Sequence, residues 1–164
     1  MTGTIVQVSI SPGGIPKRAV PEAVITPEGI IGDEWAHPRI HGGPLQAVLI
    51  VCAEVIEELR AEGFPVFFGA LGENLTVRGL DHRQLRMGQR FRAGDAVIEL
   101  TKIRTPCETL SVYSPSIKAS IYDLAVKAGD TSSPRWARSG VYASVVRPGT
   151  VRPNDKIVLV DAAV

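Results

Sequence analysis

Short runs of alternating or β-branched residues recur along the chain and are separated by Gly, Pro, Asn and Asp. Most runs are five to seven residues long, which is typical of strands in a closed or nearly closed β architecture. Turn-forming sequences follow residues 89–92 and 141–146, so we expect the last strands to be antiparallel and sequential. The predicted strands are residues 4–10, 19–25, 47–51, 74–77, 89–92, 96–102, 141–146 and 156–160.

Two segments instead have apolar residues at helical spacing. The first segment, residues 53–62, carries Val55, Ile56 and Leu59, and ends at Gly63. The second follows Ser114-Pro115, ends at Gly129 and repeats its apolar residues at Ile117, Ile121, Leu124, Ala125 and Ala128. Each predicted helix has one apolar stripe, so we expect it to close an end of a barrel or lie against its side. With mainly β content and no internal repeat or linker, residues 1–164 are predicted to form one domain.

Composition narrows the class of protein. The chain has 164 residues, 45% hydrophobic and 21% charged, which suits a soluble globular domain. Its two cysteines are too few for a disulfide framework. No basic, apolar leader or long apolar window is present, so we expect a cytoplasmic protein with no membrane partner. The net charge of +1 argues against general binding to nucleic acid. Oligomeric state stays open.

The most informative segment is Arg104-Thr105-Pro106-Cys107-Glu108. As the start of a helix, it would place Thr105 at the N-cap, Pro106 at the first helical position and Glu108 at the third, which forms a capping box. Cys107 would then lie in the first turn. There the helix dipole and Arg104 both favour the thiolate over the thiol. An anionic sulfur is either a nucleophile or a metal ligand, and this segment alone favours neither.

The second cysteine and two histidines give weaker signals. Cys52 follows an apolar run and is predicted to be a small core residue. His37 and His41 have a spacing that on a helix would suit zinc. Pro38 and the following Gly42-Gly43-Pro44 argue against a helix there, so these histidines are better interpreted as groups that shape the loop or contact a ligand.

Basic residues occur near the ends of several predicted strands. Lys17 precedes one strand, Arg104 follows another, and Arg138 precedes a third. Each alone is ordinarily a solvated residue. Together they could bind a phosphate, because guanidinium groups match its oxygens in pairs.

These residues occur in an order that resembles the MOSC domain, a family named after the C-terminal domain of molybdenum cofactor sulfurases. The resemblance spans nearly the whole chain, and the ordered combination is far more specific than any single part. The residues that carry it are Lys17, Gly29-Ile30-Ile31-Gly32-Asp33, His41-Gly42-Gly43, Gly72-Glu73-Asn74-Leu75-Thr76, Gly79-Leu80-Asp81, Gly88, Arg104-Thr105-Pro106-Cys107 and, near the end, Arg138, Gly140, Tyr142 and Ala143.

The resemblance implies a mostly antiparallel β-barrel with a few inserted α-helices and a site for the molybdenum cofactor, molybdopterin. Cys107 matches the cysteine that either binds molybdenum or carries a transferable sulfur in the family. A thiolate suits both uses. By the same matching, the pocket would be lined by His41, Gly42, Gly43, Glu73 and Asn74, and the pterin phosphate would be neutralised by Lys17, Arg104 and Arg138.

The chain also departs from the family pattern. Many relatives place a histidine soon after the Gly-Asp pair, where this chain has Glu34-Trp35. The chain shows neither the aminotransferase-like domain of cofactor sulfurases nor a ferredoxin-type cysteine cluster. Reducing equivalents or sulfur are therefore expected from a separate redox or sulfur-donor protein.

Three functions are compatible with this resemblance. The first is reduction of a small N-hydroxylated base or amidoxime, with Cys107 as the molybdenum ligand. The second is sulfur transfer or carbon–sulfur bond processing, with Cys107 as a nucleophile or persulfide. The third is a cofactor carrier without chemistry of its own. Metal and pterin analysis separates the first and third functions from the second.

Overall fold

The computed structural model describes residues 1–34 and 42–161. The strands are β1 (Thr2–Ile10), β2 (Arg18–Val20), β3 (Ala23–Thr26), β4 (Gly29–Ile30), β5 (Val48–Cys52), β6 (Leu75–Arg78), β7 (Arg90–Ala93), β8 (Ala96–Ile103), β9 (Val141–Arg147), β10 (Gly149–Val151) and β11 (Lys156–Asp161). The α-helices are α1 (Ala53–Ala61), α2 (Ile117–Ile121) and α3 (Leu124–Lys127), and 3₁₀ helices span Pro44–Gln46, His82–Gln84 and Glu108–Val112.

Within the described residues, seven strands close into a barrel. Their order is β11, β7, β8, β9, β5, β6 and β1, and the pairing of β1 with β11 completes the ring. All barrel pairings are antiparallel except that of β5 with β6. A separate sheet has the order β10, β3, β4. The mainly β, mostly antiparallel barrel with a few helices is therefore confirmed.

One predicted strand is divided between the two sheets. The segment predicted as residues 19–25 forms β2, which pairs with β1, and β3, which pairs with β10. Pro21 lies at the break. Proline has no N–H to donate to a neighbouring strand, so the ladder stops there and the chain changes sheet.

The first predicted helix is confirmed and packs against the side of the barrel. Helix α1 buries Val55, Ile56 and Leu59, and contacts β5 and β6. Every residue of β5 is buried. A strand that pairs in parallel and lies beneath a helix is covered on both faces, which accounts for the continuous apolar run 47–51.

The second predicted helix is two short helices. The chain becomes extended at Tyr122, and the Asp123 carboxylate then accepts a hydrogen bond of 2.8 Å from the Val126 N–H. This side chain caps α3 and starts a new helix, so the apolar spacing carries across a break. Ile121 is buried as expected, whereas Leu124 is 81% exposed. None of the helices in the described ranges has the length and hydropathy needed to span a membrane.

Candidate active site

A cleft with a cavity volume of about 80 Å³ opens on one side of the barrel, between Leu49 of β5, Tyr142 of β9 and the loop that begins with Arg104. Its lining combines apolar side chains with a few polar and charged groups, as the lining of small-molecule sites does. Of the residues predicted to form the site, Lys17, Asn74, Arg104 and Cys107 line the cleft. The rest of the lining is Gly14, Ile15, Glu34, Gln46, Leu49, Leu71, Gly72, Thr109 and Tyr142.

The helix start predicted at Cys107 is displaced and has a different form. The helix is a 3₁₀ helix over Glu108–Val112, and Cys107 itself occupies the N-cap position. The predicted capping box is wrong, because the Glu108 carboxylate instead pairs with Lys118 and accepts from the Ser111 hydroxyl. A short 3₁₀ helix offers a weaker dipole than an α-helix, so the Cys107 thiolate depends on other groups.

Hydrogen bonds and a nearby cation supply that stabilisation. Cys107 Sγ lies 2.7 Å from the Thr109 hydroxyl oxygen. Burial raises the pKa of the Cys107 thiol, but hydrogen bonds from Thr109 and the charge of Arg104 outweigh it, so the pKa lies below its ordinary value. By contrast, burial and nearby carboxylates raise the pKa of Cys52 to about 12. Cys52 is a buried core residue, as predicted.

Arg104 places a buried positive charge beside this sulfur. Arg104 is only 4% exposed to solvent. The backbone is fixed to the start of β9, since the Arg104 N–H donates to the Gly140 carbonyl at 2.9 Å and the Ser139 hydroxyl donates to the Arg104 carbonyl at 2.5 Å. The guanidinium donates a long bond of 3.4 Å from Nη1 to the Ser139 carbonyl, and it also hydrogen-bonds to the Cys107 sulfur. Among the described residues, Nε has no hydrogen-bond partner. A buried donor of this kind normally has a partner, so the cleft is suited to an anion.

Lys17 also reaches the cleft, but a carboxylate neutralises its charge. Lys17 Nζ lies 2.6 Å from Asp33 Oδ1, and both side chains are less than a tenth exposed. Asp33 further accepts hydrogen bonds from the Ser11 N–H at 2.8 Å and from Asn74 Nδ2 at 2.9 Å. Asn74 Oδ1 in turn accepts from the Leu49 N–H at 3.0 Å. Asp33 thus joins the loop before β2 to β5 and the start of β6, a role that its place in the sequence pattern did not show.

We expect Asp33→Asn to lower the free energy of unfolding by about 3 kcal/mol, because it leaves the Lys17 ammonium buried without its counter-charge. Urea or thermal unfolding measures the change. The matched control is Glu22→Gln, which breaks the exposed pair Glu22–Arg152 and should stay within about 1 kcal/mol of wild type. Equal losses in the two variants would contradict this account of Asp33.

Glu73 lies behind the cleft wall and not in it. It is fully buried, and its carboxylate accepts from the Gly69 N–H at 2.7 Å, the Leu71 N–H at 3.1 Å and the Thr76 hydroxyl at 3.1 Å. Burial raises the pKa of Glu73, while these hydrogen bonds and Arg104 oppose the rise. The predicted lining role is therefore corrected: Glu73 shapes the turn that presents Leu71 to the cleft.

The predicted loop of His41, Gly42 and Gly43 is only partly described. His41 lies outside the described residues. Gly43 precedes the 3₁₀ helix Pro44–Gln46 with a φ of 87°, a conformation that favours glycine. Neither glycine is among the cleft-lining residues, whereas Gln46 at the end of this helix is. The predicted lining role of Gly42 and Gly43 is therefore corrected: Gly43 lies at the start of the short helix that carries Gln46.

Arg138 is held away from the cleft. Its Nη2 lies 2.5 Å from Glu62 Oε1, and its Nη1 donates to the Ser120 carbonyl at 2.7 Å. These bonds tie the end of α1 to α2, and Arg138 is not among the residues that line the cleft. The prediction that it neutralises a phosphate there is corrected, because its charge is already matched by Glu62.

Thr109 and Tyr142 also line the cleft, and neither was expected there from the sequence. Thr109 stands two residues after Cys107, a spacing at which a hydroxyl can bond back within a turn, so this signal was present in the sequence. Tyr142 lies on β9, and the pairing that brings it to the cleft depends on the closed barrel. In the described ranges, no three His, Cys, Asp or Glu residues are placed to hold a metal ion.

Comparison with known proteins identifies relatives of this chain. The model of the MOSC domain family matches residues 37–158. The Escherichia coli protein YiiM is 32% identical over 147 residues, which cover 85% of this chain and 59% of YiiM. The chain thus spans about three fifths of that relative. A protein named "Reductase" from Gibberella moniliformis is 28% identical over 141 residues, covering 81% of this chain and 23% of the relative.

A solved structure shows the same fold. The crystal structure of YiiM from Geobacillus stearothermophilus superposes with a TM-score of 0.73, covering 97% of this chain and 75% of that chain at 23% identity. The barrel, the residue pattern and the family match over most of the chain lead to one conclusion: this chain belongs to the MOSC domain family.

Proposed function

We propose that the chain binds the molybdenum cofactor in this cleft and reduces small N-hydroxylated substrates there. The main support for this proposal is the pair formed by Cys107 and Arg104. A cysteine with a lowered pKa lies next to a buried arginine whose Nε has no partner among the described residues. A thiolate beside a buried guanidinium offers the soft donor and the positive charge that a metal-bearing phosphorylated cofactor requires.

The cleft residues fit this group in distinct roles. Cys107 would be the protein ligand of molybdenum, and Arg104 would neutralise the phosphate. Asn74 and Lys17 are held by Asp33, so they give the cavity a fixed polar wall. When bound, the cofactor would supply a two-electron redox change at the metal. Family membership supports this assignment, since the family is named for the cofactor sulfurases.

The proposed reaction converts R–NH–OH, two electrons and two protons into R–NH₂ and water. The nitrogen–oxygen bond breaks, and the oxygen leaves as water. The two cysteines of the chain are too few to hold an iron–sulfur cluster, so we assign the electrons to a separate redox protein. The name of the Gibberella relative, "Reductase", supports a reductive activity over a sulfur relay.

The test is to express the protein in cells that make the cofactor, and to measure molybdenum, pterin and turnover of N6-hydroxyadenine. Reduced methyl viologen replaces the natural electron donor. We expect about one molybdenum per chain and formation of adenine. Metal-free protein that carries a persulfide on Cys107 would instead identify a sulfur carrier. Molybdenum without reduction would identify a cofactor carrier.

A further inference from the structure

Tyr142 is the aromatic side chain of the cleft wall, and the barrel fixes its position. It lies on β9 opposite Leu49 of β5, which also lines the cleft, and opposite Lys102 of β8. Its carbonyl accepts a hydrogen bond of 3.1 Å from the Thr101 hydroxyl. Lys102 Nζ lies 5.7 Å from the centre of the Tyr142 ring, at a distance where a cation and an aromatic face attract.

The start of β9 brings this residue to the same place as Arg104. Gly140 approaches β5 so closely that a Cβ would lie 2.9 Å from Val51 Cγ2 and 3.0 Å from the Ile50 carbonyl oxygen. The carbonyl of the same Gly140 accepts a hydrogen bond from the backbone N–H of Arg104. One short segment therefore sets both the buried cation and the phenol of Tyr142 relative to the cleft.

The phenol is a hydrogen-bond donor that the described protein does not use. Tyr113, for comparison, donates its hydroxyl to the Ala70 carbonyl at 2.7 Å. Within residues 1–34 and 42–161, the Tyr142 hydroxyl makes no corresponding bond. Burial raises the pKa of Tyr142, the charge of Arg104 opposes the rise and that of Cys107 adds to it, so the phenol keeps its proton at neutral pH.

We propose that Tyr142 is a catalytic residue whose hydroxyl donates a hydrogen bond to the N-hydroxy oxygen of the substrate. The proposal rests on the proposed function and names the group that recognises the oxygen. That oxygen gains negative charge as the nitrogen–oxygen bond breaks, so a fixed neutral donor stabilises the transition state more than the bound substrate. The same donor has no partner on a base without the hydroxyl group, so it also favours substrate over product.

The test compares Tyr142→Phe with wild type, both loaded with cofactor. Without an electron donor, calorimetry measures the affinity for N6-hydroxyadenine and for adenine, which differ by the oxygen alone. With reduced methyl viologen, kcat and KM are measured. We expect Tyr142→Phe to bind N6-hydroxyadenine about fivefold to tenfold more weakly, to bind adenine as wild type does, and to lose about tenfold to a hundredfold in kcat. Molybdenum content should be unchanged.

Tyr122→Phe is the matched control. It removes the same atom from a tyrosine that packs against the core and is not among the cleft-lining residues, so it should behave as wild type does. Loss of molybdenum, or equal weakening for both bases, would assign Tyr142 a structural role and overturn the proposal. Wild-type values for Tyr142→Phe would overturn it while leaving the proposed function intact. A wild-type protein that neither reduces nor prefers N6-hydroxyadenine would overturn both.

Discussion

Iodoacetamide at neutral pH is expected to alkylate Cys107 more than about a thousand times faster than Cys52. The pKa of Cys52 is raised to about 12, and the pKa of Cys107 lies below the ordinary thiol value. Only the thiolate reacts, and each unit of pKa changes the thiolate fraction at neutral pH about tenfold. Burial of Cys52 lowers its rate further. Mass spectrometry of the two cysteine peptides over time measures the ratio.

The pH dependence of this reaction gives an independent check. The rate of Cys107 should rise with pH and level off at a lower pH than that of a cysteine in an unstructured peptide, because its pKa is lowered. Cys52→Ala should leave the profile unchanged. Equal labelling of the two cysteines in the folded protein would refute the electrostatic account of the site.

Cys107→Ala is expected to lower the reduction of N6-hydroxyadenine by more than about a hundredfold. Loss of groups that merely orient a metal ligand costs about tenfold to a hundredfold, and this variant would remove the ligand itself. The fold should persist, since Cys107 is only partly buried and its side chain bonds within its own turn. Unfolding curves verify this.

Cys52→Ala is the companion variant, because it removes the other thiol from a site outside the cleft. It should keep wild-type turnover. If Cys107→Ala still converts N6-hydroxyadenine to adenine at a rate close to that of wild type, the proposed role of this sulfur is contradicted.

Local patterns predicted most of the barrel. The seven barrel strands and α1 lie within one or two residues of the predicted ranges, because alternation and helical spacing record which face is buried. The failures occur where one polar or cyclic residue overrides a pattern. Pro21 interrupts the segment that was predicted to be a single strand. Asp123 caps a new helix inside the segment that was predicted to be a single helix. The two-residue strand β4 and the three-residue strand β10 were not predicted, because neither is long enough for a periodicity to show.

The site was less predictable because its charges are settled by pairing in space. Lys17, Arg104 and Arg138 look alike in the sequence, yet Asp33 neutralises the first and Glu62 the third. Of these three residues, Arg104 alone has a buried donor atom, Nε, without a partner among the described residues. At Cys107 the pKa is lowered as predicted and Arg104 contributes as expected, but hydrogen bonds from Thr109 take the place of the expected helix dipole. The three residues differ because of the side chains that lie next to them in the folded chain, and no local spacing in the sequence encodes those neighbours.

The most direct test of the central claim is the molybdenum content per chain of Cys107→Ala, purified beside Cys52→Ala from cells that make the cofactor. The account predicts about one molybdenum per chain in Cys52→Ala and little or none in Cys107→Ala. Equal metal and pterin in the two variants would contradict it.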